Sequence, residues 1–282
     1  MSLNNQFFIP HPALQPYIDS YLYLDMNFSC NTGSPLNIYP VASTQMSFVI
    51  DEQHTFHEVG VDRVYQYPLC FLGLLDHCRS FDVFPKQLMM VIFKPYGAFK
   101  LFGLPQRYFS NEATDVQLLF PEIKNLTEQL REVAKVPAAV VARLEGWLLK
   151  RLITAEKINV DGVAYVCEQI QKSRGLVRIS ELSRQVGMSE TNMGVQFREK
   201  VGFSAKTFSR IVRFNNINSF ITKNNTVHWQ ELVYKFDFFD QNHFIKEFKR
   251  FYGCTPSQWH AGLSRTRPRY PRDGRGRASG AA

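Results

Sequence analysis

Residues 228–253 read HWQELVYKFDFFDQNHFIKEFKRFYG, and this stretch decides the fold of the C-terminal part of the chain. Leu232 and Phe236 recur at helical spacing and form the buried side of a first helix. Asp240 is a residue type that caps a following helix. Asp237 stands at the turn, where Asp tolerates left-handed backbone better than most residues. The stretch therefore predicts a helix-turn-helix unit.

The second helix of this unit has an apolar side and a polar side. Its inner, apolar side consists of Phe244, Ile245, Phe248 and Phe251. The polar residues near its N-terminal end, which is the end of a recognition helix that reaches base edges, are Gln241, Asn242, His243 and Lys246. Gln and Asn side chains pair with adenine, and Lys reaches guanine. Lys249 and Arg250 follow one turn later and are suited to phosphates.

A similar unit occurs earlier, where residues 179–202 read ISELSRQVGMSETNMGVQFREKVG. Ser180 is predicted to cap its first helix and Ser189 its second. Gly187 supplies the left-handed residue that allows a tight turn between them. Residues 204–221 predict one connecting helix, about 27 Å long at 1.5 Å per residue. This spacing suits two recognition helices in successive major-groove segments, about 34 Å apart.

The charges of the chain are unevenly distributed. Residues 1–156 carry 12 Lys and Arg against 15 Asp and Glu, a net charge of −3. Residues 157–263 carry 15 against 9, a net +6, and Arg210 and Arg213 of the connecting helix contribute to it. Residues 264–282 carry six Arg against one Asp, a net +5. Because basicity belongs to the C-terminal part alone, we predict double-stranded DNA as its partner.

Residues 1–115 read as short strands separated by turns. Their apolar runs are SYLYLDMNF, STQMSFVID, LCFLGLL, RSFDVFP and LMMVIFKP. Many short strands at this spacing predict a barrel or a sandwich. Two helices follow, opened by Pro121 and Pro137. The fold class is therefore α+β in two domains: a mostly β N-terminal domain with trailing helices, and an all-α double helix-turn-helix domain.

We predict a regulatory domain at residues 1–156, a DNA-binding domain at residues 157–263 and a disordered basic tail at residues 264–282. The tail either strengthens nonspecific DNA binding or derives from the expression vector. No apolar run approaches the length of a membrane span, and the N-terminus lacks a signal-peptide pattern, so a cytoplasmic protein is expected. The five scattered cysteines, without a CxxC, argue against a disulfide framework and a zinc site.

The segment FFDQNHFIKEFKRFYGCTPSQW, residues 238–259, resembles the AraC family of bacterial transcription regulators. The positions that match the family pattern are Phe238, Phe239, Asp240, Gln241, His243, Phe244, Phe248, Lys249, Gly253, Thr255 and Pro256. The resemblance covers about residues 160–260. It implies a sequence-specific DNA-binding transcription regulator, not an enzyme, and places Gln241, Asn242, His243 and Lys246 toward the groove.

The same resemblance implies a DNA-facing side for the first unit. Its residues are Thr191, Gly194 and Val195, and we predict that Arg198 on the same helix also contacts DNA. The family commonly has Arg where Val195 stands, and a valine can touch a thymine methyl but cannot reach guanine. Asp237 replaces the turn glycine that is usual in the second unit. We therefore expect specificity to reside mainly in the second unit.

The N-terminal half resembles a regulatory domain found ahead of this module, through HPALQPYIDSYLYL (residues 11–24) and VIFKPYGAFKLFGLP (residues 91–105). The resemblance implies that it senses a small-molecule effector or mediates homodimerisation. One helical stripe either packs on its own β domain or forms a dimer seam: Val140, Leu144, Trp147, Leu148 and Leu152. Six aromatic residues either line a pocket or fill the core: Phe81, Phe84, Phe93, Tyr96, Phe99 and Phe102.

Two other classes of function compete with this interpretation. An enzyme would use a cupin-like metal site at His54, His57 and Glu58, but the spacing departs from the usual His-x-His and no further Glu and His complete it. No GxSxG, Walker loop, GxGxxG or HExxH is present. We predict no cofactor, no metal and no membrane partner. Alternatively, the N-terminal domain is a protein-interaction module without a ligand.

Overall fold

The computed structural model describes residues 5–25, 35–50, 55–224 and 227–263. Within them, the N-terminal part contains antiparallel strands: β1 (Gln6–Phe8), β2 (Ile18–Asp25), β3 (Leu36–Ile38), β4 (Thr44–Val49), β5 (Thr55–Glu58), β6 (Arg63–Gln66), β7 (Leu69–Leu72), β8 (Arg79–Val83), β9 (Gln87–Phe93) and β10 (Ala113–Asp115). One sheet has the order β1-β2-β9-β4-β7-β10 and the other the order β3-β8-β5-β6. The described strands form two separate sheets, so the sandwich, not a closed barrel, is compatible with the structure.

Apolar residues from both sheets form the interior of the sandwich. Its buried members are Val49, Phe56, Tyr65, Phe81 and Leu88. A charged group lies at the edge of this interior: the Arg79 guanidinium donates to Glu58 through Nε at 2.7 Å and also through Nη2. The Tyr65 hydroxyl donates to the same carboxylate at 2.9 Å. Arg79 is only 4% exposed, so the pair is a buried ion pair supported by a phenol.

Helices cover the second face of the larger sheet. They are α1 (Gly97–Phe102), α2 (Val116–Leu119), α3 (Ile123–Glu132) and α4 (Pro137–Thr154). On α4, Val140, Leu144 and Leu148 are fully buried in the core that this sheet contributes to. Trp147 and Leu152 pack against the same core. The apolar stripe of α4 therefore packs on its own β domain.

The six predicted aromatic residues mostly fill cores. Phe93 and Phe102 belong to the core beneath α1 and α4, whereas Phe81 and Phe84 belong to the sandwich interior. Phe102 borders a cavity of about 10 Å³, which is about the space of one water molecule. Core filling is thus the observed role of these rings in the part of the chain that the structure describes.

Lys100 fixes the connection between the two parts of the chain. Its buried ammonium group donates to the carbonyl oxygens of Ala155 at 3.1 Å, Glu156 at 3.2 Å and Ile158 at 2.8 Å. These carbonyls follow the end of α4, where helix carbonyls lack partners within the helix. One side chain of the N-terminal part therefore orders the segment that leads into the C-terminal helices.

The C-terminal part is helical. Its helices are α5 (Asp161–Lys172), α6 (Ile179–Gln185), α7 (Glu190–Lys200), α8 (Ala205–Lys223), α9 (Trp229–Lys235), α10 (Gln241–Tyr252) and α11 (Pro256–Leu263). The predicted cap at Ser180 is wrong, because α6 begins at Ile179 and Arg178, its N-cap residue, makes no side-chain cap. The predicted connecting helix is confirmed as α8. The basic tail lies outside the described residues, as do Cys30 and His54.

The fold class predicted from sequence is confirmed: a β-sheet region comes first and a helical region follows. No helix among residues 5–25, 35–50, 55–224 and 227–263 has the length and apolarity needed to cross a membrane.

Candidate nucleic-acid interface

The first helix-turn-helix unit consists of α6, α7 and the turn between them. Gly187 has a φ of +66°, a left-handed conformation that glycine adopts without a steric penalty. The Met188 N–H donates to the Ser183 carbonyl at 2.9 Å, which closes the end of α6. The Ser189 hydroxyl then accepts from the Asn192 N–H at 3.2 Å and caps α7. The predicted turn and the predicted cap of α7 are both confirmed.

The second unit, formed by α9 and α10, repeats this backbone geometry. Asp237 has a φ of +53° where the first unit has its glycine. The Phe238 N–H donates to the Val233 carbonyl at 3.0 Å, as Met188 does to Ser183. The Asp240 carboxylate accepts from the His243 N–H at 2.7 Å and caps α10. The predicted left-handed aspartate and the predicted cap are confirmed.

The two turns differ by one residue. The chain passes from the left-handed Gly187 to the capping Ser189 in two steps, but from Asp237 to Asp240 in three. The residue directly before the cap of α10, Phe239, has no counterpart in the first turn.

The polar residues of α10 point away from its core. Phe244, Phe248 and Phe251 are at most 1% exposed and pack in the C-terminal core. The predicted base-reading residues Gln241, Asn242, His243 and Lys246 are all exposed. Because they cluster in the first turn and a half of the helix, they surround its N-terminal end. That end is free to enter a groove.

Arg250 lies one turn later and has a partner in the N-terminal part. Its guanidinium Nη2 lies 2.5 Å from the Asp76 carboxylate, in the segment between β7 and β8. The Asp76 carboxylate also accepts from His77 at 2.9 Å and from the Asn111 amide at 3.1 Å. Lys249, its neighbour on α10, is exposed and forms no ion pair among the described residues.

The charge state of Asp76 follows from these contacts. Burial by itself raises the pKa of this carboxyl group, but hydrogen bonds from His77, Arg250 and Asn111, with the charge of Arg250, lower it overall. The carboxylate is therefore ionised at neutral pH. The two charges are unequally exposed, since the Asp76 side chain is 14% exposed and the Arg250 side chain 51%.

The first unit exposes fewer of the residues predicted to contact DNA. Thr191, Val195 and Arg198 are exposed on the side of α7 opposite to its buried Met193. Val195 is 50% exposed. The Arg198 guanidinium folds back over Gly194 and lies 3.5 Å from its carbonyl oxygen. The one positive charge among the predicted first-unit residues therefore lies over the position that lacks a side chain.

Two arginines of α8 bind partners inside the C-terminal part. Arg210 donates to the Glu247 carboxylate at 2.8 Å. Arg213 lies near the carbonyl oxygens of Phe236 and Asp237, at 3.4 and 3.5 Å, where it holds the end of α9. Both arginines contribute to the net positive charge of the domain, and their cations have partners inside it.

The N-terminal part contacts the helices of both units at further points. The Ser110 hydroxyl donates to the Gly202 carbonyl at 2.9 Å, directly after α7. Farther along, the Asn215 amide of α8 donates to the Pro40 carbonyl at 2.7 Å. The Tyr39 ring meets the Trp259 ring of α11 edge to face, with a centroid distance of 4.7 Å. One face of the β domain thus spans the connecting helix and reaches both units.

Sequence reasoning missed Asp76 and the exposure of Phe239. Asp76 is 174 residues from Arg250 along the chain, so no local pattern could have paired them. For Phe239 a signal existed, because the extra residue of the second turn is visible when the two units are aligned on Gly187 and Asp237.

The metal site of the rival interpretation includes His54, which lies outside the described residues. His57 lies between two carboxylates, with ring nitrogens 2.7 Å from Asp82 and 3.1 Å from Asp62. Glu58 instead binds Arg79. No group of three or more His, Cys, Asp and Glu side chains in the described ranges is arranged to hold a metal ion.

Comparison with protein families gives one match in each part of the chain. Residues 182–262 match the family model of a helix-turn-helix domain. Residues 6–115 match a domain of unknown function, DUF6597. No curated protein matches the chain.

Among solved structures, the chain is similar to ToxT from Vibrio cholerae O395, with 10% identity, a TM-score of 0.43, and coverage of 82% of this chain and 93% of ToxT. ToxT bound to (E)-4-(8-methylnaphthalen-1-yl)but-3-enoic acid gives 9% identity, a TM-score of 0.44, and coverage of 82% and 94%. Unsaturated fatty acid-bound ToxT from Vibrio cholerae strain SCE256 gives 8% identity, a TM-score of 0.44, and coverage of 85% and 94%.

Proposed function

We propose that this protein, whose AraC-type helix-turn-helix domain makes it a DNA-binding transcription regulator, inserts α7 and α10 into successive major-groove segments of one operator. The observation that carries the proposal is the exposed polar N-terminal end of α10, at Gln241, Asn242, His243 and Lys246. The first unit supports it through Thr191, Gly194, Val195 and Arg198. Lys249 and Arg250 are assigned to phosphates.

The length of α8 supports the two-groove arrangement. This helix has 19 residues, which correspond to about 28 Å. Consecutive turns of the major groove on one side of the duplex are about 34 Å apart. A single chain with such a connector is suited to two half-sites that differ in sequence, since its two recognition helices differ.

We assign a regulatory role to the N-terminal domain, through its direct contacts with both units. Asp76 neutralises Arg250, and a DNA phosphate would have to replace that carboxylate. Any signal that shifts the β domain relative to α10 would therefore change the affinity for DNA. A small-molecule effector and a homodimer stay predictions.

The boundaries of the two domains and the tail also stay predictions. Tyr39 belongs to the same buried cluster as residues of α8–α11, and Leu74 to that of α5–α8. The two parts thus share buried surface, which supports coupling between them.

A second candidate role for the N-terminal domain is protein interaction without a ligand. The aromatic rings that could have lined a pocket fill cores instead, which favours this role. Thermal-shift measurements across metabolite classes distinguish the two: a concentration-dependent rise in melting temperature supports an effector, and no rise with any class supports interaction.

Selection of DNA from a random pool tests the main proposal. We expect two conserved blocks about 10–10.5 base pairs apart, with the more strongly conserved block facing α10. Affinity for the selected site should fall steeply with salt. A single conserved block would contradict the two-groove arrangement, and enrichment of no sequence would contradict sequence-specific binding. The double variant Gln241→Ala/Lys246→Ala serves as the control, because it should remove only the block read by α10.

A further inference from the structure

Phe239 leaves almost its whole ring in water at the head of α10. It is 93% exposed, whereas the preceding Phe238 is 8% exposed. The Phe238 ring packs against Phe244 at 5.2 Å and faces the core. Since the backbone at the cap residue Asp240 is extended, neighbouring side chains in this segment point to opposite sides. The Phe239 ring therefore points away from the core, into solvent next to the N-terminal end of α10.

The turn itself gives no reason for this phenylalanine. The first unit reaches its cap with one residue fewer and forms the same closing hydrogen bond, from Met188 to Ser183. The Phe239 ring forms no aromatic or cation–π contact among the described residues. A single exposed apolar side chain is common on protein surfaces. The evidence for binding is therefore the place of the Phe239 ring, which stands in solvent directly before the exposed polar residues Gln241 and Asn242 of α10.

We propose that Phe239 contacts the 5-methyl group of a thymine in the major groove, beside the bases read by Gln241 and Asn242. This inference rests on the proposed function. Residues at the start of a recognition helix lie closest to base edges, and phenylalanine is one of the side chains that pack on the thymine methyl. The polar residues of α10 would then read hydrogen-bonding groups, while the residue added to its turn reads an apolar one.

The position of the ring determines the expected size of the effect. Burying a phenylalanine side chain contributes roughly 1.5–3 kcal/mol, and a contact on one side of the ring buries about half of it. The substitution Phe239→Ala should therefore weaken binding about 4- to 12-fold. Removing one thymine methyl should weaken binding about 4-fold, as for one buried methylene.

A double-mutant cycle, in which Phe239 and single thymine methyl groups are removed separately and together, tests the contact between them. Operators selected by the wild-type chain are synthesised with single thymines replaced by uracil, which lacks only the methyl group. Wild-type protein should lose about 4-fold at one such position. Phe239→Ala should bind more weakly to the unmodified site and show no further loss at that position. Phe239→Leu, which keeps an apolar side chain, should retain part of the sensitivity.

Control variants separate the loss of the Phe239 contact from the loss of any exposed ring and from misfolding. Phe7→Ala removes an exposed phenylalanine ring from β1 of the N-terminal part, where Phe7 is 49% exposed, and should leave binding unchanged. Circular dichroism of each variant reports folding, and Phe239→Ser replaces any variant that fails to fold. The proposal would be overturned if Phe239→Ala and Phe239→Ser bound every operator with the same affinity as the wild-type protein. Unchanged DNA binding with lost stimulation of purified RNA polymerase would also overturn it, because a protein would then be the partner.

The failure of the proposed function gives a different result. In that case wild-type protein selects no operator, and no uracil series can be made. If wild-type protein selects an operator whose affinity is insensitive to every thymine methyl, sequence-specific binding stands and only the role of Phe239 is wrong.

Discussion

The Asp76 carboxylate lies 2.5 Å from the Arg250 guanidinium, and this ion pair joins the N-terminal domain to the recognition helix of the second unit. Asn111 and His77 hold the carboxylate from the other side. Arg250 is suited by sequence to a DNA phosphate, so a protein carboxylate occupies the site of a predicted phosphate contact. The N-terminal domain and DNA would therefore compete for the same cation.

Removal of the Asp76 charge should strengthen DNA binding. We expect Asp76→Asn to raise affinity for nonspecific duplex DNA about 2- to 5-fold, since an ion pair with a half-exposed partner is worth under about 1 kcal/mol. The slope of log affinity against log salt should steepen by about 0.9, as for one added phosphate contact. Glu112→Gln removes the same charge elsewhere in the β domain and controls for net charge. Equal slopes for the two variants would contradict competition at Arg250.

The same ion pair should depend on pH in a defined direction. The pKa of Asp76 is lowered in the folded protein, so its stabilising contribution is present above its ordinary value of about 4 and is lost as pH falls through the lowered value. Melting temperatures of the wild type and Asp76→Asn should differ near neutrality and converge as the pH falls below about 4, the ordinary pKa of an aspartate. A difference that stays constant as the pH falls through the acidic range would show that the charge of Asp76 is not the cause.

Two substitutions in α10 test whether its exposed polar side binds the bases of the operator. Gln241→Ala and Lys246→Ala should each weaken binding to the selected operator by about 1–3 kcal/mol and relax specificity at the bases they contact. Titration of wild-type and variant protein with operators mutated at single positions measures both effects. Lys135→Ala, an exposed lysine of the N-terminal part, is the control. Unchanged operator affinity in both α10 variants would place the recognition face elsewhere.

The first unit should gain affinity from a single arginine. Val195 is exposed on the side of α7 that is predicted to face DNA, and Arg is common at this position in the family that the sequence resembles. Val195→Arg should increase affinity and add up to about 0.9 to the salt slope when the new side chain meets a phosphate. Val195→Gln is the control, because it lengthens the side chain without adding a charge and so separates the effect of length from the effect of charge. No gain on any operator of the selected pool would mean that this side of α7 does not face DNA.

The buried ion pair of the sandwich should be sensitive to the loss of one partner. Arg79→Met leaves the Glu58 carboxylate buried beside Tyr65 without its cation, and should cost about 3–5 kcal/mol of unfolding free energy. Glu58→Leu/Arg79→Met removes both charges and should recover much of that loss. Urea denaturation of the three proteins measures these values. A double variant as unstable as Arg79→Met would indicate that packing, not the uncompensated charge, sets the loss.

Local features of the C-terminal domain could be predicted from the sequence. The caps at Ser189 and Asp240, and the left-handed residues at Gly187 and Asp237, follow from residue types at fixed spacing. The cap at Ser180 could not be decided in this way, because α6 begins one residue before it and leaves the serine inside its first turn. Caps depend on backbone angles that neighbouring contacts also influence.

Other features could not be predicted from the sequence, because they depend on which helices and sheets pack against each other. The stripe of α4 was equally compatible with a dimer and with its own sheet, because both would bury the same residues. Arg210 and Arg213 look like free cations along the chain, yet a carboxylate of α10 and the carbonyls at the end of α9 hold them. Side chains of this length reach partners that are distant in sequence.

Two helix-turn-helix units that follow a β domain could be predicted from residue patterns alone, as could the polar N-terminal end of the second helix in the second unit. Helical periodicity, helix caps and turn residues depend on a few neighbouring positions, so they can be predicted from the sequence without a structure. Only the tertiary structure decided that Asp76 holds Arg250 and that Phe239 stands in solvent. Ion pairing and exposure depend on distances between segments far apart in the chain, and folding alone brings these together.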